Sequence, residues 1–425
     1  MINKSELQKI IHELWPLNRS LTGKDVRKTH KILSKITPMK KKEYRSGTKV
    51  FDWKIPPEWN VKDAYIITPD RKKILSFKNN NLHLLNYSIP FNGTVSLDVL
   101  KKNLYSDPLR PNTIPYVTSY YKKKWGFCIK HSEIKKLKKG RYKVYISAEH
   151  NSKGSLTISE KKIPGKNKKE ILFQSYTCHP SMLTNELLGP VALLYLAKYV
   201  EQLKDRKYSY RFILLPETIG TITYLNKNIT KIRKNFLAGY VLTCLGLKKF
   251  FYFKRSKERG SVSNKLAENF FNLSNKNILN YNPGGSDERQ YNMSGIGLPV
   301  GCLMTALPGK FKEYHSSSDN LNLLNENILI ANIRQLIKFV DYLEKQTFYE
   351  FKKNKCEPFL SKYINFYGTK GNSNANPKLK TMALKWIVHF CDGSHTLKEI
   401  SKLSKIKIAV IKKIIKVLKQ KKIIS

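Results

Sequence analysis

The chain has 425 residues, enough for two or three domains with at least one sizeable core. Its 79 Lys and Arg against 31 Asp and Glu give a formal charge of +48, a balance that suits nucleic acid, an anionic membrane surface or an acidic partner. The excess is mostly Lys spread along the whole chain, so a solvated surface accounts for it first, and no apolar run has the length of a membrane-spanning helix.

The N-terminal MINKSELQKIIHELW reads as an amphipathic helix and not a signal peptide. Six cysteines, Cys128, Cys178, Cys244, Cys302, Cys356 and Cys391, form no CxxC pair and read as reduced, mostly buried thiols. Both observations point to the cytoplasm. Residues 5–38 keep a helical period, with RSLTGKDV as a turn and Ser20 or Thr22 as a cap. From about 48 to 145, short aromatic segments such as VFDWKIPPEWNVKDAYIITPD, LHLLNYSIPF and GRYKVYISAEH are punctuated by Pro, Asn and Gly, which predicts a β-rich module. From about 150 to 348, strands (KEILFQSYTC, YSYRFILLP, FLAGYVLTCLG, LPVGCLM) alternate with helices (PVALLYLAKYVEQLK, VSNKLAENFFNLS, NENILIANIRQLIKFVDYLEKQ), so an α/β layer architecture is expected. GTKGNSNANPK reads as a linker, and the last fifty residues as three helices separated by turns.

Chemistry-bearing residues gather at the strand ends of the α/β region. His179 and Glu186 follow one strand, Glu217 the next, Asp287 and Glu288 occupy NPGGSDERQY, and His315 and Asp319 lie in EYHSSSDN. Imidazole and carboxylate suit zinc, and a catalytic zinc takes about three protein ligands with one position open for water. A neighbouring carboxylate then deprotonates that water. Each residue also has a plain role: a surface or capping His179, and helix N-terminal charges for Glu186 and Asp287. The other histidines, His30 among them, lack this setting and read as structural.

The ordered segments CHPS…NELLGP, PETIG, GGSDERQY…GLPVG and EYHSSSDN resemble the bacterial aminopeptidase-like family that belongs with the zinc aminopeptidases and glutaminyl cyclases. The resemblance covers nearly the whole chain, including the β module and a winged helix-turn-helix tail. It implies an α/β fold, an αβα sandwich with a mixed sheet. The domains expected are 1–47 and 148–350 for the aminopeptidase-like part, 48–147 for the inserted module, 351–375 for a linker and 376–425 for the winged helix.

The resemblance also implies roles. His179 and His315 match two histidine ligands, and Glu217 matches the base. Asn185 stands at the position of a metal-bridging Asp, Thr218 at that of a second Glu, and YVLTCLG offers only Thr243 and Cys244 where another Asp is expected. Two close divalent ions need several carboxylates between them, so the losses argue against a second metal. One zinc held by His179, Glu186 and His315 is expected, with Asp287 as fourth ligand or neighbour of one, and with Asp319 orienting the His315 ring. Glu288 or Asp287 would take a substrate amino group, Asn185 would face the substrate, and Arg19 is an anion clamp or a surface residue. The substrate expected is a small peptide or amide, including one on an amino sugar, since the family keeps company with surface-polysaccharide biosynthesis. The alternative is a degenerate scaffold that binds without turnover.

Residues 376–425 carry 13 Lys against one Asp and one Glu, a charge of +11. Leu397, Ile400 and Leu403, then Val410, Ile414, Val417 and Leu418, keep helical spacing. The second of these helices offers no Arg, Asn or Ser to read base edges, so base-specific DNA binding is disfavoured and a packing or interaction role preferred. The β module either covers the mouth of the site or builds a contact in a homo-oligomer.

Overall fold

The computed structural model describes residues 2–271, 273–274, 276–351, 356–360 and 377–424. They form two compact units, Met1–Phe339 and Val340–Ser425. The first opens on helices α1 (Lys4–Leu14) and α2 (Lys24–Leu33). Helix α1 buries Leu7, Ile10, Ile11 and Leu14, an i, i+3, i+4, i+7 stripe. Neither Ser20 nor Thr22 caps α2. Gly23 is the N-cap, while Ser20 Oγ lies 2.5 Å from Asn86 Oδ1 and Thr22 Oγ1 2.8 Å from Tyr87 Oη, because both hydroxyls are taken up by the inserted module.

Strand β1 (Lys40–Arg45) precedes the module, whose strands β2 (Glu58–Ile67), β3 (Phe91–Ser96) and β4 (Arg141–Asn151) join Lys73–Ile74 in a four-stranded antiparallel sheet. Strand β5 (Ser155–Ile163) then returns beside β1, antiparallel to it. The chain continues through β6 (Glu170–Tyr176), α3 (Leu188–Gln202), β7 (Ser209–Leu215), α4 (Ile219–Asn235), β8 (Phe236–Leu242), β9 (Tyr252–Lys254), α5 (Val262–Phe271), β10 (Ile278–Leu279), β11 (Val300–Met304) and α6 (Glu326–Lys345). Among the described residues the main sheet has eight strands in the order β1-β5-β7-β6-β8-β11-β9-β10, with β7, β6, β8 and β11 parallel. Parallel central strands are covered on both faces, so β6 is buried at every residue.

Helix α3 enters the fold tightly. A Cβ on Gly189 would lie 2.6 Å from Ser175 Oγ and 3.0 Å from Leu242 O, so only glycine lets the helix start against β6 and β8. Pro190 sits in its first turn, where no backbone donor is needed. The module is not a separate body: Trp59, Ile66 and Val144 share one apolar core with Ile158, Leu172 and Val241 of the main sheet. Trp59 stacks on Tyr87 at 5.5 Å and donates to Ser88 O, as expected for core aromatics.

The second unit comprises β12 (Phe348–Glu350), α7 (Pro377–Phe390), β13 (Asp392–Thr396), α8 (Leu397–Ser404) and α9 (Ile408–Gln420), with β12 antiparallel to β13. Strand β12, expected with the main domain, therefore belongs here, and most of the expected linker lies outside the described residues. Thr396 and Glu399 form a capping box on α8. The buried face of α9 is Ile411, Ile415 and Leu418, while Val417, expected on it, is 42% exposed.

Candidate active site

The four parallel strands end on one side of the sheet, where open α/β folds keep their chemistry. Each is followed by a non-glycine residue at positive φ: Ser181 (46°) after β6, Thr218 (64°) after β7, Cys244 (48°) after β8 and His315 (51°) after β11. Such conformations persist where surrounding structure over-determines them, and they cluster at functional sites.

After β6 the chain runs through Cys178 and His179 into one turn of π-helix, Leu183–Leu187. That turn carries Glu186 back beneath His179. Glu186 Oε2 accepts from the Cys178 N–H at 2.6 Å, from the His179 N–H, and from His179 Nδ1 at 2.8 Å. Its Oε1 is 2.7 Å from Nε of Arg19, which also donates to His179 O at 3.0 Å. Both charged side chains are 0% exposed. Glu186, expected as a metal ligand, is thus a saturated carboxylate that fixes the His179 ring and leaves Nε2 free. Arg19 is neither at the surface nor an open clamp; it is the counter-charge of Glu186. Cys178 Sγ, a His179 ring nitrogen and a Glu186 oxygen lie within 4.8 Å of one another, but Sγ accepts from the Glu217 N–H at 3.3 Å and the carboxylate is spent.

Glu217 follows β7. Its Oε1 accepts from Ser286 Oγ at 2.9 Å, and its Oε2 stands 4.0 Å from His179 Nε2. Its side chain keeps 23% exposure, unlike Glu186. Burial raises its pKa, against the pull of His179, the Ser286 hydrogen bond and Arg289. Asp287, expected at the metal, is fully buried: Oδ1 accepts from the Thr218 N–H and Oδ2 from Gln174 Nε2, each at 2.7 Å. Burial and the nearby Glu217 push its pKa well up. Asp287 therefore pins the strained Thr218 turn. Glu288, expected to meet a substrate amine, is tied to Lys254 Nζ at 2.8 Å, with the pair almost wholly buried.

His315 sits opposite His179, ring centroids 5.2 Å apart, and stacks on Tyr314 at 3.9 Å. Burial, with the charges of His179 and Arg110, lowers its pKa to about 3, so the ring is a neutral imidazole. Asp319 does not orient it. Its oxygens accept from the Thr184 and Asn185 N–H groups, both at 2.8 Å, and so cap the π-turn. Asn185 is 1% exposed, and neither its Oδ1 nor its Nδ2 has a hydrogen-bond partner.

The structure thus brings His179, His315 and Glu217 together and gives Glu186, Asp287, Glu288 and Asp319 supporting contacts. Tyr116, one of the module aromatics that by residue type suit either sugar stacking or the module's small core, stands beside the two imidazoles. Its ring lies 5.2 Å from His179 and 5.4 Å from His315, and its N–H donates to His315 O at 2.9 Å. The module therefore forms one wall of the site. Its YVTSYY aromatics gave no local sign of this, since the contact spans about two hundred residues of chain.

A family model described as a domain of unknown function, DUF4910, matches residues 8–346, and a winged helix-turn-helix model matches 347–425. The chain is 40% identical over 398 residues to a putative polysaccharide biosynthesis protein with aminopeptidase-like domain from Clostridium acetobutylicum, covering 93% of this chain and 90% of that one. It is similar to the crystal structure of a putative peptidase from the same organism, at 37% identity and TM-score 0.78 over 99% and 96% of the two chains. A zinc aminopeptidase from Bacillus subtilis, at 13% identity and TM-score 0.57 over 80% and 93%, shares the fold. The chain belongs to the DUF4910 family, with an aminopeptidase-like αβα fold and a C-terminal winged helix-turn-helix.

Proposed function

We propose that this protein is a single-metal amide hydrolase of the aminopeptidase-like type, serving surface-polysaccharide biosynthesis. The observation that carries the reading is that His179 Nε2 stands 4.0 Å from Glu217 Oε2, with the His315 ring 5.2 Å from the His179 ring. Among the described residues no hydrogen bond engages Nε2 or either His315 ring nitrogen, whereas Glu186 holds Nδ1 as carboxylates hold the far nitrogen of metal-bound imidazoles. The unpartnered buried amide of Asn185, at the position of a metal-bridging carboxylate, fits the same picture. His179 and His315 would give one divalent ion such as zinc two protein ligands, one fewer than a catalytic zinc usually has, and with Glu186 and Asp287 committed elsewhere no carboxylates are left to hold a second ion. When bound, zinc supplies Lewis-acid polarisation and a water of lowered pKa.

The chain's own groups do the rest. His179 and His315 would hold the ion, and Tyr116 and Tyr176 pack against the His179 ring. Glu217 Oε2 takes the proton of the attacking water and returns it to the leaving amine, yielding one carboxylic acid and one amine per amide. Ser286 holds the other oxygen of Glu217 in place, and a raised pKa suits a proton acceptor working near neutrality. The name of the 40% identical relative supports a substrate in polysaccharide synthesis.

Metal analysis of protein purified without added zinc tests the reading: one equivalent is expected, and two or none overturns it. In parallel, Glu217→Gln should lose about 10²-fold or more of amide turnover with metal retained; loss of the metal itself would make Glu217 a ligand instead of the base. A non-catalytic ligand-binding scaffold is favoured by one observation, the Arg19 guanidinium neutralising Glu186. It is the reading that survives if no metal is found.

A further inference from the structure

We infer that Arg289 is a specificity residue of this site, reading an anionic group, carboxylate or phosphate, on a ligand that carries no free amine to be recognised. The inference rests on the strand-end site proposed above as the binding place, though not on its catalysis. Two cations around the site are already matched. Arg19 is paired with Glu186 at 2.7 Å and Lys254 with Glu288 at 2.8 Å, and all four side chains are buried.

Arg289 differs. Its guanidinium donates through Nη1 to Gly285 O at 2.8 Å and through Nη2 to Thr218 Oγ1 at 2.7 Å, both neutral acceptors. Among the described residues no carboxylate lies within ion-pair distance of it, and it is half-buried, not sunk in the core. Thr218 follows Glu217 in the chain, and Ser286, next to Gly285, donates to Glu217. The cation is therefore held at the rim of the open carboxylate, close enough to act electrostatically on Glu217 and on Tyr314, the neighbour of His315.

Two acceptors fix the guanidinium plane before any ligand arrives, so its remaining donors meet an anion at little further entropic cost. A ligand ammonium would find only Glu217, whose Oε1 already accepts from Ser286. Glu288 is neutralised by Lys254, and Asp287 is fully buried with both oxygens hydrogen-bonded. The protein's formal charge of +48 also favours the approach of anions at long range.

The test titrates the full chain with four sugar probes, glucuronate, glucose 1-phosphate, glucuronamide and glucosamine, by calorimetry or ligand-observed NMR. At least one anionic probe should bind about ten-fold more tightly than glucuronamide or glucosamine, the worth of one charge-assisted pair. Arg289→Met should remove that preference, and Arg289→Lys should keep part of it while both variants unfold at the wild-type midpoint. The tighter of the two anions identifies carboxylate or phosphate as the group read. Equal binding of glucuronate, glucose 1-phosphate and glucuronamide, tightest binding of glucosamine, or an unchanged preference in Arg289→Met overturns the inference; if Met at 289 does not fold, loss of less than two-fold in Arg289→Lys together with no dependence on salt does so. Because the readout is binding, a protein that selects anions yet turns nothing over contradicts the proposed hydrolysis and leaves this inference standing.

Discussion

A buried imidazole beneath the sheet edge and a half-buried one at the strand-end mouth share a lowered proton affinity and have different fates. His30 on α2 and His315 after β11 are both desolvated, and burial lowers each to a pKa of about 3, helped by Lys41 at His30 and by His179 and Arg110 at His315. His30 is satisfied at both nitrogens, with Nδ1 2.7 Å from Ser159 Oγ and Nε2 2.9 Å from Thr177 Oγ1, so it staples α2 to β5 and to the loop after β6. His315 has no hydrogen bond to either ring nitrogen among the described residues and sits at φ +51°. Lowered proton affinity alone therefore does not separate a histidine committed to structure from one left open at the site. Partner vacancy and backbone strain do.

The comparison extends to the acids, and the largest effect is expected there. Arg19→Met would leave Glu186 inside the protein without its counter-charge, at a cost of about 3–5 kcal/mol in urea unfolding. A loss below about 1 kcal/mol would mean that Glu186 is held by its backbone donors alone. Next, His30→Ala should cost about 2–3 kcal/mol, since it opens a cavity and orphans two buried hydroxyls, whereas His315→Ala should cost under about 1 kcal/mol and abolish the zinc binding proposed above. Equal stability losses would break the distinction drawn above.

Acid should discriminate further. His30 is depressed from 6.5 to about 3, so the unfolded chain takes up its proton first. Burial alone would raise Glu58, but Arg27, Asn60 and the Ser155 N–H outweigh it and lower the carboxylate from 4.5 to about 2. Both folded pKa values lie below the unfolded ones, so both contributions are complete above pH 6.5 and disappear as pH falls. Stability should decline first between pH 6.5 and 4.5 through His30 and His315, then more steeply through Glu58 as well. His30→Gln should flatten part of the upper stretch, leaving the share of His315, and Glu58→Gln the lower, as chemical denaturation at a series of pH values would record. The smallest effect belongs to Lys35→Ala. Its pair with Glu13 is solvated on both sides, and the change should stay within about 0.5 kcal/mol.

Much of the architecture was legible because long apolar runs specify buried strands whatever surrounds them. EILFQSY of β6 and the nearly all-apolar start of α3 needed no context. Helix α4 escaped notice since its stretch, GTITYLNKNITKIRK, is rich in β-branched residues and weak in helix propensity. Strand β1, KKKEYR, has the charge of a surface segment, which is how an exposed edge strand protects itself. At the site, the positions of His179, Glu217 and His315 could be read from residue type and strand-end context. The fate of each carboxylate could not: Glu186 looks like a ligand until Arg19, 167 residues away, is found against it.

What the amino-acid order determined by itself was local. It set the strand and helix periods, the chemical types at each strand end, and the lack of carboxylates at Asn185, Thr218 and Thr243. Tertiary structure decided which charges are already answered, namely Arg19 for Glu186 and Lys254 for Glu288, and which remain open, namely Glu217, the two imidazoles and Arg289. The reason is physical. Periodicity acts between neighbours on one element, whereas desolvation and charge pairing depend on every group that folding brings within a few ångströms, whatever their separation along the chain.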